Sequence, residues 1–120
     1  MATPGTQLVI DELASDPNGS VVLRVVGELD ISTANALREA VGPRLTPGAR
    51  LVLDLSELAF CDSTGLSVLV GFHKRLVAEG GRLELYAPVP RVLHLLTITG
   101  LNRVFGIRAA GDEPTAVRPP

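Results

Sequence analysis

Asp62, Ser63 and Thr64 stand together between two apolar runs, in the segment Ala59-Phe60-Cys61-Asp62-Ser63-Thr64-Gly65-Leu66. Hydroxyls beside a carboxylate at a strand-to-helix crossing support two chemistries. Ser63 can accept amide hydrogen bonds as a helix cap, or present its hydroxyl for phosphorylation while Asp62 or Thr64 organises the turn. A phosphoryl group there would add about −1.5 to −2 charges. The amides of the helix entrance would stabilise it, whereas Asp62, and Asp54 at the preceding strand end, would oppose it. The added charge would turn a binding surface into a rejecting one and leave the fold intact.

Other chemistries find less support. Ser63 is not bracketed by the glycines of a nucleophile elbow and no oxyanion-hole signature accompanies it, which disfavours a serine hydrolase. Gly42-Pro43-Arg44-Leu45-Thr46-Pro47-Gly48 lacks the lysine of a P-loop, and Gly27 does not begin a dinucleotide fingerprint. Asp54 and Asp62 have no cysteine or histidine motif beside them, and Glu28 and Asp30 are distant in sequence. Turn capping and solvation are therefore the expected roles of both aspartates, with no intrinsic metal and no cofactor. A receiver-like aspartyl phosphate at Asp54 would need a neighbouring acidic pair and a lysine on the last strand, and both are missing. His73 and His94 read as surface or half-buried helix residues, since spacing gives neither a nucleophile nor an orienting partner.

Cys61 is the only cysteine. Internal disulfides and cysteine-ligated zinc are excluded, and a small buried apolar role is expected. The 120 residues, 46% hydrophobic, suffice for one domain with a real core. Thirteen acidic side chains against eleven basic ones give a net charge of −2, with no basic block to neutralise phosphates, so direct nucleic-acid binding is disfavoured. Neither a signal-peptide pattern nor an apolar run of transmembrane length occurs, so no membrane association and a cytoplasmic location are expected.

The elements that must position the turn follow from punctuation and periodicity. A short apolar segment over Gln7–Leu13, the turn residues Ser15-Asp16-Pro17-Asn18-Gly19-Ser20 and the β-branched run Val21–Val26 predict an opening hairpin. After Gly27-Glu28-Leu29-Asp30, Ser32 or Thr33 can cap a helix carrying Ala34, Leu37, Ala40, Val41 and Leu45, with Pro43 in its last turn or ending it. Arg50–Leu55 reads as a buried strand. A helix follows from Ser63 or Thr64 to Ala78 or Glu79, through Leu66, Leu69, Val70, Phe72, Leu76 and Val77. Arg82–Tyr86 alternates as a strand, a third helix carries Val89, Val92, Leu93, Leu95, Leu96 and Ile98 and ends near Gly100, and Val104–Ile107 forms a brief last strand. The order β-β-α-β-α-β-α-β, with five strands and three helices, favours an open α/β sheet with mainly parallel later strands. Residues 1–6 read as a flexible lead, 7–110 as the domain and 111–120 as a flexible tail.

Gly27-Glu28-Leu29-Asp30, Asp54-Leu55-Ser56 and Phe60-Cys61-Asp62-Ser63-Thr64-Gly65-Leu66 together resemble a bacterial anti-sigma factor antagonist of the STAS-domain family, over roughly residues 7 to 110. The resemblance implies a single α/β domain with a mixed open sheet, its first strand antiparallel to a mostly parallel set, and helices mainly on one face. It implies a protein that is not an enzyme but a phosphoryl acceptor. The phosphosite would be Ser63, with Thr64 second, and Glu28, Asp30, Asp62, Ser63 and Thr64 would face the partner. The implied partners are an anti-sigma factor serine kinase, bound by the unmodified form so that sigma factor is released, and a phosphoserine phosphatase. The alternative is a STAS-like interaction scaffold that is never phosphorylated.

Overall fold

The computed structural model describes residues 7–111, so the expected lead and all but the first residue of the expected tail lie outside the described residues. Leu8–Ser15 (β1) and Ser20–Leu29 (β2) pair antiparallel as the opening hairpin. Its turn uses the chemistry legible in Asp16-Pro17-Asn18-Gly19: the Asp16 carboxylate accepts the Asn18 amide at 2.7 Å, and the Gly19 amide donates to the Asp16 carbonyl at 3.0 Å.

Ala34–Val41 (α1), Arg50–Asp54 (β3), Leu58–Cys61 (β4), Ser63–Ala78 (α2), Arg82–Tyr86 (β5), Pro90–Ile98 (α3) and Gly106–Arg108 (β6) follow. The sheet order is β1-β2-β3-β5-β6, and β4 pairs with β2 beyond the end of β3. All pairings except β1 with β2 are parallel, as helical crossovers require. The sheet thus has six strands. The sixth, β4, lies in the segment read as the polar turn, because four residues with only Leu58 and Cys61 buried give little alternation to detect.

Several boundaries differ from expectation, two of them through 3₁₀ turns. The first helix stops at Val41, and Gly42–Arg44 forms a 3₁₀ turn around Pro43, which has no amide to continue the ladder; Leu45 is buried from outside the helix. The last strand begins at Gly106, two residues late, because Leu101–Arg103 coils into a 3₁₀ turn first.

Alternation along the strands sorts the core. Leu23, Val25, Leu51, Leu53, Leu83 and Leu85 face one side, where they join Leu37 and Val41 of α1, Leu69, Phe72 and Leu76 of α2, and Val92 and Leu96 of α3. All three helices contribute to this one cluster, and each fully buried leucine in it contributes about 1.5–3 kcal/mol. The opposite face carries a smaller cluster of Val22 and Val52 with Ala14 and Tyr86. Two buried carboxylates share that face. Asp54 receives Arg24 Nε and Nη2 at 3.2 and 3.1 Å, and Glu84 receives Arg108 Nε at 2.6 Å. Asp54 is thus not a solvated residue, as expected from sequence, but 3% exposed. Its capping role does hold, since it accepts the Ser56 amide at 2.9 Å. The guanidinium offsets the cost of desolvating the carboxylate and commits Asp54 to structure.

Gly27 lies where β2 changes partner from β3 to β4, and the β2–β4 register slips between Gly27 and Glu28. Its φ is +121°, and an added Cβ would run into the Gln7 carbonyl oxygen. Gly27→Ala is expected to lower stability by about 2 kcal/mol or more, measured by urea unfolding; an unchanged midpoint would contradict this role for the bulge.

Candidate functional site

The site is assembled where β2 and β4 end side by side. Leu29 pairs with Cys61, and the Asp62 amide donates to the Leu29 carbonyl at 3.2 Å. Asp30 and Asp62 therefore leave adjacent parallel strands at the same rim of the sheet, whose strands are spaced about 4.8 Å apart. Glu28 pairs with Phe60 one step earlier. Residues far apart in sequence, which spacing alone gave no reason to join, thus form one group: Glu28, Asp30, Asp62, Ser63 and Thr64. No ion pair neutralises Glu28, Asp30 or Asp62 among the described residues.

Asp62, rather than Ser63, caps α2. Its backbone is extended (φ −105°, ψ −173°) and its carboxylate accepts the Gly65 amide at 2.9 Å. Ser63 becomes the first helical residue and is exposed, with Thr64 partly covered behind it. The Ser63 carbonyl accepts the Ser67 hydroxyl at 3.0 Å, and its own hydroxyl has no capping duty. The amides of the first helical turn point outward at this end, a suitable field for an anion. Gly65 lets the helix sit close on the strands, since a Cβ there would lie 2.7 Å from Cys61 Sγ and 2.8 Å from Leu29 Cγ.

The β2–α1 turn is held by a hydrogen-bond net. Asp30 Oδ1 accepts the Ser32 amide at 2.9 Å, the Ser32 hydroxyl at 2.6 Å and the Thr33 amide at 3.2 Å. Thr33 occupies the cap position of α1 but does not cap with its side chain. Its hydroxyl turns back instead, donating to the Glu28 carbonyl at 2.8 Å and accepting the Asp30 amide at 3.0 Å. The Asp-x-Ser-Thr spacing was the available signal for this Asx turn. The Ser32 hydroxyl bond, backed by the backbone amides and against partial desolvation, holds the Asp30 carboxyl below the usual carboxylate range. Asp30 thus stays charged at neutral pH.

Cys61 is buried, as expected, and its thiol donates weakly to the Asp62 carbonyl at 3.6 Å. Burial, helped by the negative charge of Asp62, pushes its pKa from 9.0 up to about 12. Since the folded protein holds the thiol proton more tightly, the stability this contributes is full below pH 9.0 and is lost as pH rises toward about 12. His94 is exposed on α3; His73 is half-buried with its ring edge-on to Phe105 at 5.6 Å, and its Nδ1 has no partner among the described residues. Neither histidine is hydrogen-bonded to a nucleophile among the described residues. No group of three or more histidine, cysteine, aspartate or glutamate residues that could hold a metal occurs among them either. No helix there is long and apolar enough to cross a membrane. A cavity of about 310 Å³ between α1 and α2, and one of about 210 Å³ beside the hairpin turn, are lined by none of the five rim residues.

A STAS domain family model matches residues 13–113. The anti-sigma-B factor antagonist of Bacillus subtilis (strain 168) is 36% identical over 92 residues, covering 77% of this chain and 84% of that protein. A crystal structure of an anti-sigma factor antagonist from Mycobacterium paratuberculosis superposes with a TM-score of 0.73 at 32% identity, over 93% of both chains. The anti-sigma factor antagonist SpoIIAA, solved in its unphosphorylated form, gives a TM-score of 0.69 at 25% identity, over 88% of this chain and 90% of that one.

The buried thiol should resist modification. Ellman's reagent at pH 8 is expected to react with Cys61 at least about tenfold more slowly in the native protein than in urea; equal rates would contradict the burial.

Proposed function

The chain belongs to the STAS-domain family, and on that premise we propose that it is an anti-sigma factor antagonist whose unmodified form binds an anti-sigma factor kinase and releases sigma factor. Phosphorylation of Ser63 weakens that contact. The observation that carries the reading is the division of labour at the head of α2: Asp62 takes the cap, which leaves the adjacent Ser63 hydroxyl exposed and without a structural duty. The relative SpoIIAA has been solved both in an unphosphorylated and in a phosphorylated form.

The electrostatics favour a switch of surface over a switch of fold. The helix N-terminus contributes about 0.3–1 kcal/mol toward each negative charge placed on it, so α2 survives the modification. A phosphoryl group of about −1.5 to −2 charges joins a rim that already carries Asp62 and Asp30. The rim's charge and shape then change where the partner sits. The protein itself supplies the hydroxyl and no catalytic group; the kinase brings ATP, and a phosphoserine phosphatase restores the surface. Glu28, Asp30 and Asp62 frame the contact, with Thr64 as the secondary acceptor. A cytoplasmic location follows from partners that act on sigma factor.

Incubation with the native anti-sigma kinase and ATP, followed by peptide mass spectrometry, is expected to place one phosphate on Ser63 and none on the Ser63→Ala variant. Phosphorylated protein should bind the anti-sigma factor at least about tenfold more weakly, a loss of about 1.4 kcal/mol. Phosphate found only away from Ser63 and Thr64 would reject the assignment, and tight binding with no phosphate would favour the unmodified scaffold.

A further inference from the structure

Ile31 is 80% exposed, the most exposed of the large apolar side chains among the described residues. A single exposed isoleucine is ordinary on a protein surface. Its setting here is not. Ile31 lies between Asp30 and Ser32, inside the turn that the Asp30 carboxylate and Thr33 hydroxyl bind from both sides. The Ala34 amide also donates to the Asp30 carbonyl at 2.9 Å, which closes the turn onto α1. The backbone that presents Ile31 is therefore fixed before any partner arrives, so little ordering entropy remains to oppose binding.

Position in the sheet joins Ile31 to the switch. Leu29 and Cys61 are register partners on parallel strands, so Ile31 and Ser63, each two residues further on, emerge at the same rim. Around them stand Glu28, Asp30 and Asp62, with no ion pair among the described residues. The geometry points to Ile31 as the apolar anchor of the partner contact, seated in an aliphatic or aromatic pocket of the anti-sigma factor bordered by lysine or arginine. Apolar anchors ringed by polar groups that exclude water carry most of the energy of such interfaces. The acidic collar selects a basic rim on the partner and speeds encounter. This inference rests on the proposed function and adds the residue that carries affinity, distinct from the hydroxyl that controls it.

The test uses the full chain and its native anti-sigma kinase, with binding measured calorimetrically. Ile31→Ala is expected to weaken binding about tenfold and Ile31→Asp further, while Ile31→Val stays within about threefold of wild type. Thermal midpoints should be unchanged, because the side chain contacts water in the free protein. The KM for phosphorylation of Ser63 should rise with the loss of affinity, at constant kcat. If the wild type binds, and phosphate on Ser63 weakens it, but both Ile31→Ala and Ile31→Asp bind within about twofold of wild type, the anchor is overturned and the proposed function stands. If the wild type does not bind the kinase, both fall together.

Discussion

The pairing of the last residues of β2 with β4 is the contact on which the site depends. The bond from the Asp62 amide to the Leu29 carbonyl, and the register of Leu29 with Cys61, set where α2 begins and which residues share the rim. Gly27 permits this pairing by absorbing the slip in register, and Gly65 permits α2 to press against Leu29 and Cys61. Without the bulge, the register of β2 with β4 would shift and the two acidic turns would no longer be aligned. Without the close approach, the helix entrance would lift from the sheet and Asp62 would lose the geometry of its cap.

The two turns at this rim achieve the same result by different chemistry. At α2 a carboxylate caps the helix and leaves a serine hydroxyl exposed; at α1 a carboxylate binds the amides and hydroxyl of its own turn and leaves an isoleucine exposed. In each case an aspartate satisfies local donors, so the neighbouring side chain is free for a partner. Fixed backbone with unencumbered side chains is the arrangement that recognition requires. The opposite face of the sheet uses its acids differently: Asp54 and Glu84 are buried and matched by Arg24 and Arg108, which keeps those charges out of surface chemistry.

The same logic explains the quiet role of Cys61. It sits in the middle of the functional segment, yet its side chain faces Leu29 and Gly65, under the helix. A high thiol pKa and a buried sulfur make it a packing residue beside an exposed phosphoacceptor position. Neighbours in sequence thus have opposite environments, because the strand ends at Cys61 and the chain turns at Asp62.

Much of this was legible in the chain. The hairpin turn at Asp16–Gly19, the 16-residue helix from Ser63, the alternating strand Arg82–Tyr86 and the exposed Ser63 at the helix entrance are encoded by residues within a few positions of one another, through capping, turn chemistry and periodicity. Those forces act locally, so order along the sequence suffices to read them. Tertiary structure decided the rest: that Asp62 and not Ser63 is the cap, that Leu58–Cys61 is a strand, that Asp54 is buried on Arg24, and that Glu28 and Asp30 join Asp62 across more than thirty positions of sequence. Each of these depends on which strands pair and in what register. Packing of side chains from distant segments against one another fixes that choice, and order along the sequence does not display those contacts.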